Sequence, residues 1–139
     1  MSTAITNSAV NVNRVTFCLT HEGTFSEGEW YVREALVTSK RVELLRDADA
    51  LVNRFLIKHN LLTKIWQFPV VLIPFSRRGS SGDSIVLRPV DSIDGMTAQF
   101  SNLSLALLRD LTNQLLKLEG IDSVLFDVTN KPPATIEWE

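Results

Sequence analysis

The chain has 139 residues, enough for one domain that buries its own core, and its 45% hydrophobic and 22% charged content is that of a globular chain rather than a disordered one. Fourteen Lys and Arg against sixteen Asp and Glu give a formal net charge of −2, so no positive excess is available to neutralise a nucleic-acid backbone, and no nucleic-acid partner is expected. No apolar run approaches the roughly 18 residues of a membrane-spanning helix, and the first residues have neither a basic nor an apolar stretch, so the protein is read as soluble and cytoplasmic, with no membrane partner.

Residues 1–12 are rich in Ser, Thr, Asn and Ala without sustained periodicity and are expected to form a flexible segment, with a single domain over 13–139. Arg14 to Leu19 alternate β-branched or aromatic residues ahead of His21-Glu22-Gly23, which reads as a strand ending in a turn. Cys18 in this run cannot form an internal disulfide and behaves as a small hydrophobe. From Tyr31 to His59 the apolar positions recur at helical spacing, with Leu44, Ala48, Leu51 and Phe55 on one stripe and Leu45, Val52 and Leu56 beside it, predicting a long amphipathic helix.

Phe68 to Phe75 form an apolar run whose two prolines belong at strand ends or on an edge, so a second strand is expected there. Arg77 to Asp83 is a turn-forming connector, read as a solvated hairpin turn in preference to a phosphate loop, and Ile85 to Val90 resumes a strand. Arg88 interrupts that strand, so it should pair with a carboxylate such as Asp94 or Asp127, or cross a subunit interface. After a loop over Asp91 to Asn102, Leu108, Leu111, Leu115 and Leu118 predict a second helix capped by Gly120, and Ile121 to Val128 a last strand.

The order is β-α-β-β-α-β, which points to an α+β fold of the split βαβ, ferredoxin-like type: an antiparallel sheet with two helices on one face. A second copy covering the other face would bury its apolar residues, so a homodimer is expected. No nucleophile and base pair, glycine-rich phosphate loop or clustered metal ligands stand out, and His21 and His59 are isolated; catalytic residues and a metal site are expected to be absent.

Three segments carry a family resemblance: Lys64-Ile65-Trp66-Gln67; Leu87-Arg88-Pro89-Val90 with Ile93-Asp94-Gly95-Met96-Thr97-Ala98; and Lys131-Pro132-Pro133-Ala134-Thr135-Ile136-Glu137-Trp138-Glu139, preceded by the aromatic-Asp pair Phe126-Asp127. Together they resemble the C-terminal dimerisation and XMP-binding domain of glutamine-hydrolysing GMP synthase, over roughly Leu45 to Glu139. That family aminates XMP to GMP with glutamine and ATP. The resemblance implies XMP as the ligand, with Lys131, Glu137 and Gln67 at it. Lys131 suits the 5′-phosphate as a compact cation, and Pro132-Pro133 stiffens its backbone. The Thr135 and Ile136 N–H groups and the Thr135 hydroxyl could add phosphate donors. Glu137 could accept from ribose or purine, and Gln67 could read a purine edge.

Two departures accompany it. The nucleophilic Cys of a glutaminase and the S-G-G-x-D-S loop of an ATP-pyrophosphatase are missing from these residues, so the resemblance assigns glutamine, ATP and Mg to separate catalytic domains, possible partners of this chain, and implies no catalysis by the chain alone. Gly95 also stands where the family commonly has an aromatic residue, which leaves the packing of its loop open. The alternative is a non-catalytic dimeric scaffold or nucleotide-sensing protein of the same fold.

Overall fold

A computed structural model describes residues 2–20, 26 and 28–138. Along the chain run α1 (Ser2–Ser8), β1 (Thr16–Cys18), β2 (Trp30–Val32), α2 (Ser39–Lys58), β3 (Val70–Ile73), β4 (Phe75–Arg77), β5 (Asp83–Leu87), β6 (Val90–Asp91), β7 (Gln99–Phe100), α3 (Leu105–Leu115) and β8 (Ile121–Asp127). The class is α+β, and β1-α2-β3-β5-α3-β8 follows the expected order.

The main sheet is ordered β1-β8-β5-β3. Its central pair, β5 and β8, is parallel and joined through α3, while β1 and β3 lie antiparallel to their neighbours at the two edges. The edge strands therefore run parallel to each other, and the connection through α2 spans both central strands, a split βαβ. Pleating puts Ile85 and Leu87 of β5 and Val124 and Phe126 of β8 in one buried cluster with Ala48, Val52, Phe55 and Leu56 of α2 and Leu108, Leu111 and Leu115 of α3, so both helices cover the same face. On the reverse face Ser84, Val86, Ser123 and Leu125 are buried as well, and the Ser84 and Ser123 hydroxyls hydrogen-bond at 2.5 Å. A single chain thus buries the centre of the face that the sequence reading reserves for a second copy. Among the described residues, strongly exposed apolar side chains include Phe17, Val32, Leu36, Val37, Ile93 and Met96.

The helix expected from Tyr31 begins only at Ser39. Trp30–Val32 instead pairs with Phe75–Arg77 in a two-stranded sheet, with Trp30 stacked on Phe75 at 5.2 Å, and Thr38 caps α2 by accepting from the Arg41 N–H. The same helix ends in a Schellman motif: Asn60 takes φ 54°, its N–H donates to Ile57 and that of Leu61 to Leu56. His59, read from sequence as isolated, packs on Phe55 at 4.3 Å between ring centroids.

Helix α3 stops at Leu115 rather than at Gly120, which sits in the turn entering β8 with φ +101°, where a Cβ would come within 3.1 Å of Leu44. Residues 2–8 are helical, whereas the sequence reading expects no regular structure over 1–12; Thr6 and Ser8 hydroxyls bond back onto preceding carbonyls of that turn. The expected turn at His21-Glu22-Gly23 lies outside the described residues. Among these, no helix is long and apolar enough to cross a membrane.

Candidate functional site

Beside the main sheet, short extended pieces form a second ribbon. The loop expected over Asp91 to Asn102 contains β7, which pairs with β6. Gln67 bridges Val90 on one side, and Ala98 bridges Lys131 on the other. Strand spacing puts the backbones of Gln67 and Lys131 roughly 14 Å apart, on opposite edges of the ribbon.

The loop joining β6 to β7 is tied internally. The Ser92 hydroxyl accepts from the Gly95 N–H and donates to the Thr97 carbonyl, and the Asp94 carboxylate accepts from the Met96 N–H. Gly95 has φ +73°, a conformation that favours glycine, and a Cβ there would stand 3.4 Å from the Trp66 ring. The Trp66 ring, from the neighbouring segment, thus lies against Gly95. Lys131 Nζ donates to the Gly95 carbonyl at 2.7 Å. A concavity of about 410 Å³ opens along Asp91 to Asp94 and Thr97 to Gln99.

The segment after β8 is fixed by a buried ionic cluster. Arg88 is 0% exposed and donates through Nη1 to Asp127 Oδ2 (2.6 Å) and the Thr129 carbonyl (3.1 Å), through Nε to the Ile136 carbonyl (2.9 Å), and through Nη2 to the Thr135 carbonyl (2.5 Å). Burial lowers the Arg88 pKa from its ordinary value; the Asp127 carboxylate opposes that shift, and nearby Arg14 adds to it. Asp127 Oδ2 also pairs with Arg14 Nη1 at 3.0 Å, and its Oδ1 accepts from the Thr129 N–H at 2.8 Å. Arg14 Nη2 donates to the Thr135 hydroxyl and to the Glu137 carbonyl, and its guanidinium lies 4.8 Å from the centre of the Trp138 ring. Ile136 completes the attachment in an apolar cluster with Val90 and Ala98.

The residues singled out from sequence fall into two groups. Lys131, half-buried, and Gln67, exposed, flank the ribbon, and Asp94 stands exposed in its loop. Thr135, Ile136 and Glu137 follow in the terminal segment, where only Glu137 has an exposed side chain. The Thr135 hydroxyl accepts from Arg14 and donates to the Glu137 carbonyl, so it is already engaged. The Thr135 and Ile136 carbonyls turn to Arg88, while their N–H groups make no hydrogen bond to the described residues. Of the two carboxylates considered for Arg88, Asp127 pairs with it and Asp94 does not. Arg77 forms an ion pair with Glu29, in keeping with a solvated connector. Arg14 was missed: one cation at the entrance to a strand carries no periodic signal, and its partners lie more than a hundred residues away.

Comparison with known proteins gives a consistent picture. A family model described as GMP synthase C terminal domain matches residues 54–138. A probable glutamine-hydrolysing GMP synthase of Leptospira interrogans is 38% identical over 139 residues, which is 100% of this chain and 23% of the relative. The GMP synthases of Leifsonia xyli and Prochlorococcus marinus are 48% and 43% identical over 111 and 110 residues, each 74% of this chain and 22% and 21% of theirs. The chain thus spans less than a quarter of the length of these relatives.

Proposed function

We propose a function from one premise: the chain belongs to the GMP synthase C-terminal domain family. Its role is to supply part of the XMP site and a dimer contact in the ATP- and glutamine-dependent amination of XMP to GMP. Glutaminase and ATP-pyrophosphatase domains would use glutamine, ATP and Mg and carry out the chemistry. The reaction is assigned to the cytoplasm.

The observation that supports this reading is that one ribbon carries Gln67 at one edge and Lys131, bonded to the Gly95 loop, at the other, next to a terminal segment whose carbonyls Arg88 holds. Lys131 would receive the 5′-phosphate by exchanging its bond to the Gly95 carbonyl, with Thr135 and Ile136 N–H groups as further donors. Gln67, at the opposite edge, suits the purine, and the exposed Glu137 carboxylate suits ribose hydroxyls or a purine N–H. The prior fixing of the segment lowers the ordering cost at binding.

Charge-assisted contacts contribute about 1.5–3 kcal/mol each, against an association cost of about 4–15 kcal/mol. XMP binding by the chain alone should therefore be millimolar at best, and the rest of the pocket must come from the catalytic domain. For the dimer, exposed Val32, Leu36 and Val37 offer apolar surface to a second copy. A monomer at micromolar concentration in sedimentation would remove that part of the proposal.

The functional test adds this chain to a GMP synthase truncated before the corresponding domain. Restored XMP-dependent GMP formation is expected, and Lys131→Ala should raise the KM for XMP about tenfold or more without loss of folding. No restoration by a folded chain would favour the scaffold or sensor reading, and an unchanged KM in Lys131→Ala would remove the phosphate assignment.

A further inference from the structure

Resting on that reading, we propose that Arg14 is a positioning residue for XMP: it holds the main chain of Glu137 so that the exposed carboxylate is presented to the nucleotide. The two arginines on Asp127 divide the terminal segment between them. Arg88 takes the carbonyls of Thr129, Thr135 and Ile136. Beyond Ile136 that hold ends, and the Glu137 carbonyl is bound instead by Arg14 and by the Thr135 hydroxyl, which Arg14 also holds. The Trp138 ring on the Arg14 guanidinium fixes the following residue. Glu137 is therefore bracketed by contacts that converge on one side chain.

Arg14 is itself held firmly. One face of its guanidinium network is the buried Asp127, and its side chain is 10% exposed. The next residue, Val15, accepts from the Val128 N–H at 3.0 Å and exchanges hydrogen bonds with the Thr129 hydroxyl at 2.7 and 3.2 Å. The start of β1 is thereby locked in register with the residues leading into the terminal segment. A planar guanidinium forms the ion pair, the two further hydrogen bonds and the ring contact together, which an ammonium group cannot do. Arg14 also precedes the 54–138 span matched by the family model, so this control over Glu137 comes from a part of the chain outside it.

The test uses the chain combined with the truncated synthase and compares Arg14→Ala, Glu137→Ala and the double variant. Arg14→Ala should raise the KM for XMP roughly tenfold, with a smaller effect on kcat. Because Arg14 acts through Glu137, the double variant should be no worse than Glu137→Ala, a non-additivity that plain destabilisation would not produce. Arg14→Lys, which keeps the ion pair, should recover part of the loss. Trp138→Leu, which leaves Arg14 and Asp127 intact, should raise KM by a smaller factor and keeps the test available if Arg14→Ala does not fold. The proposal is overturned if Glu137→Ala raises KM while Arg14→Ala does not, or if the two effects multiply. If Glu137→Ala and Lys131→Ala both leave KM unchanged, the XMP reading itself has failed, and the positioning role falls with it.

Discussion

The helix-covered sheet and the ribbon with its terminal segment are neighbours held together by different forces. Among the described residues the first has fifteen buried apolar side chains, twelve of them from two helices and the main sheet. The second has three, Val90, Ala98 and Ile136, and relies on one carboxylate shared by two arginines. Burial of apolar area is spread over many contacts and tolerates local loss, whereas a buried ionic cluster concentrates its effect in a few atoms. Such a cluster fixes main-chain carbonyls at defined positions, here those of Thr129, Thr135 and Ile136.

The sharpest way to break this contrast is Asp127→Ala. It leaves Arg88 buried without its counter-charge and should cost about 3–5 kcal/mol, read as a lower midpoint in urea unfolding, with loss of order over residues 129–138. A loss below about 1 kcal/mol would show that the cluster does not govern this region. Leu111→Ala, fully buried in α3, should cost about 2–5 kcal/mol through the cavity it leaves, yet without altering amide protection in the terminal segment relative to the rest. Gly95→Ala is the smallest change, about 1–2 kcal/mol confined to the loop, from its left-handed backbone and the nearby Trp66 ring. Equal local protection in that variant and the wild type by hydrogen exchange would count against strain at Gly95.

The same contrast explains what could be read from sequence. The helix-covered sheet follows from period: the stripe Leu44, Ala48, Leu51 and Phe55 and the run Ile85 to Leu87 encode their own burial, and the β-α-β-β-α-β order came with them. Tyr31 to Thr38 deceived because helical spacing of a few apolar residues also fits a short strand followed by a loop, and pairing with Phe75–Arg77 decides the matter. Gly120 deceived because a turn into a strand demands the same positive φ as a helix cap. Beside the ribbon, Arg88 and Asp127 were legible as a charge inside an apolar strand and a possible partner. The bridges that align Gln67 with Val90 and Ala98 with Lys131 have no local signature, and neither does Arg14, whose meaning lies wholly in distant partners.

On the proposed reading, XMP sits across the ribbon between Gln67 and the segment from Lys131 to Glu137. Hydrogen exchange on the chain in complex with the truncated synthase, with and without saturating XMP, tests it most directly. Added protection at residues 94–97 and 131–137, absent in Lys131→Ala, is the expected result. Exchange at both stretches that is indifferent to XMP, in a complex that still converts it to GMP, would contradict the account.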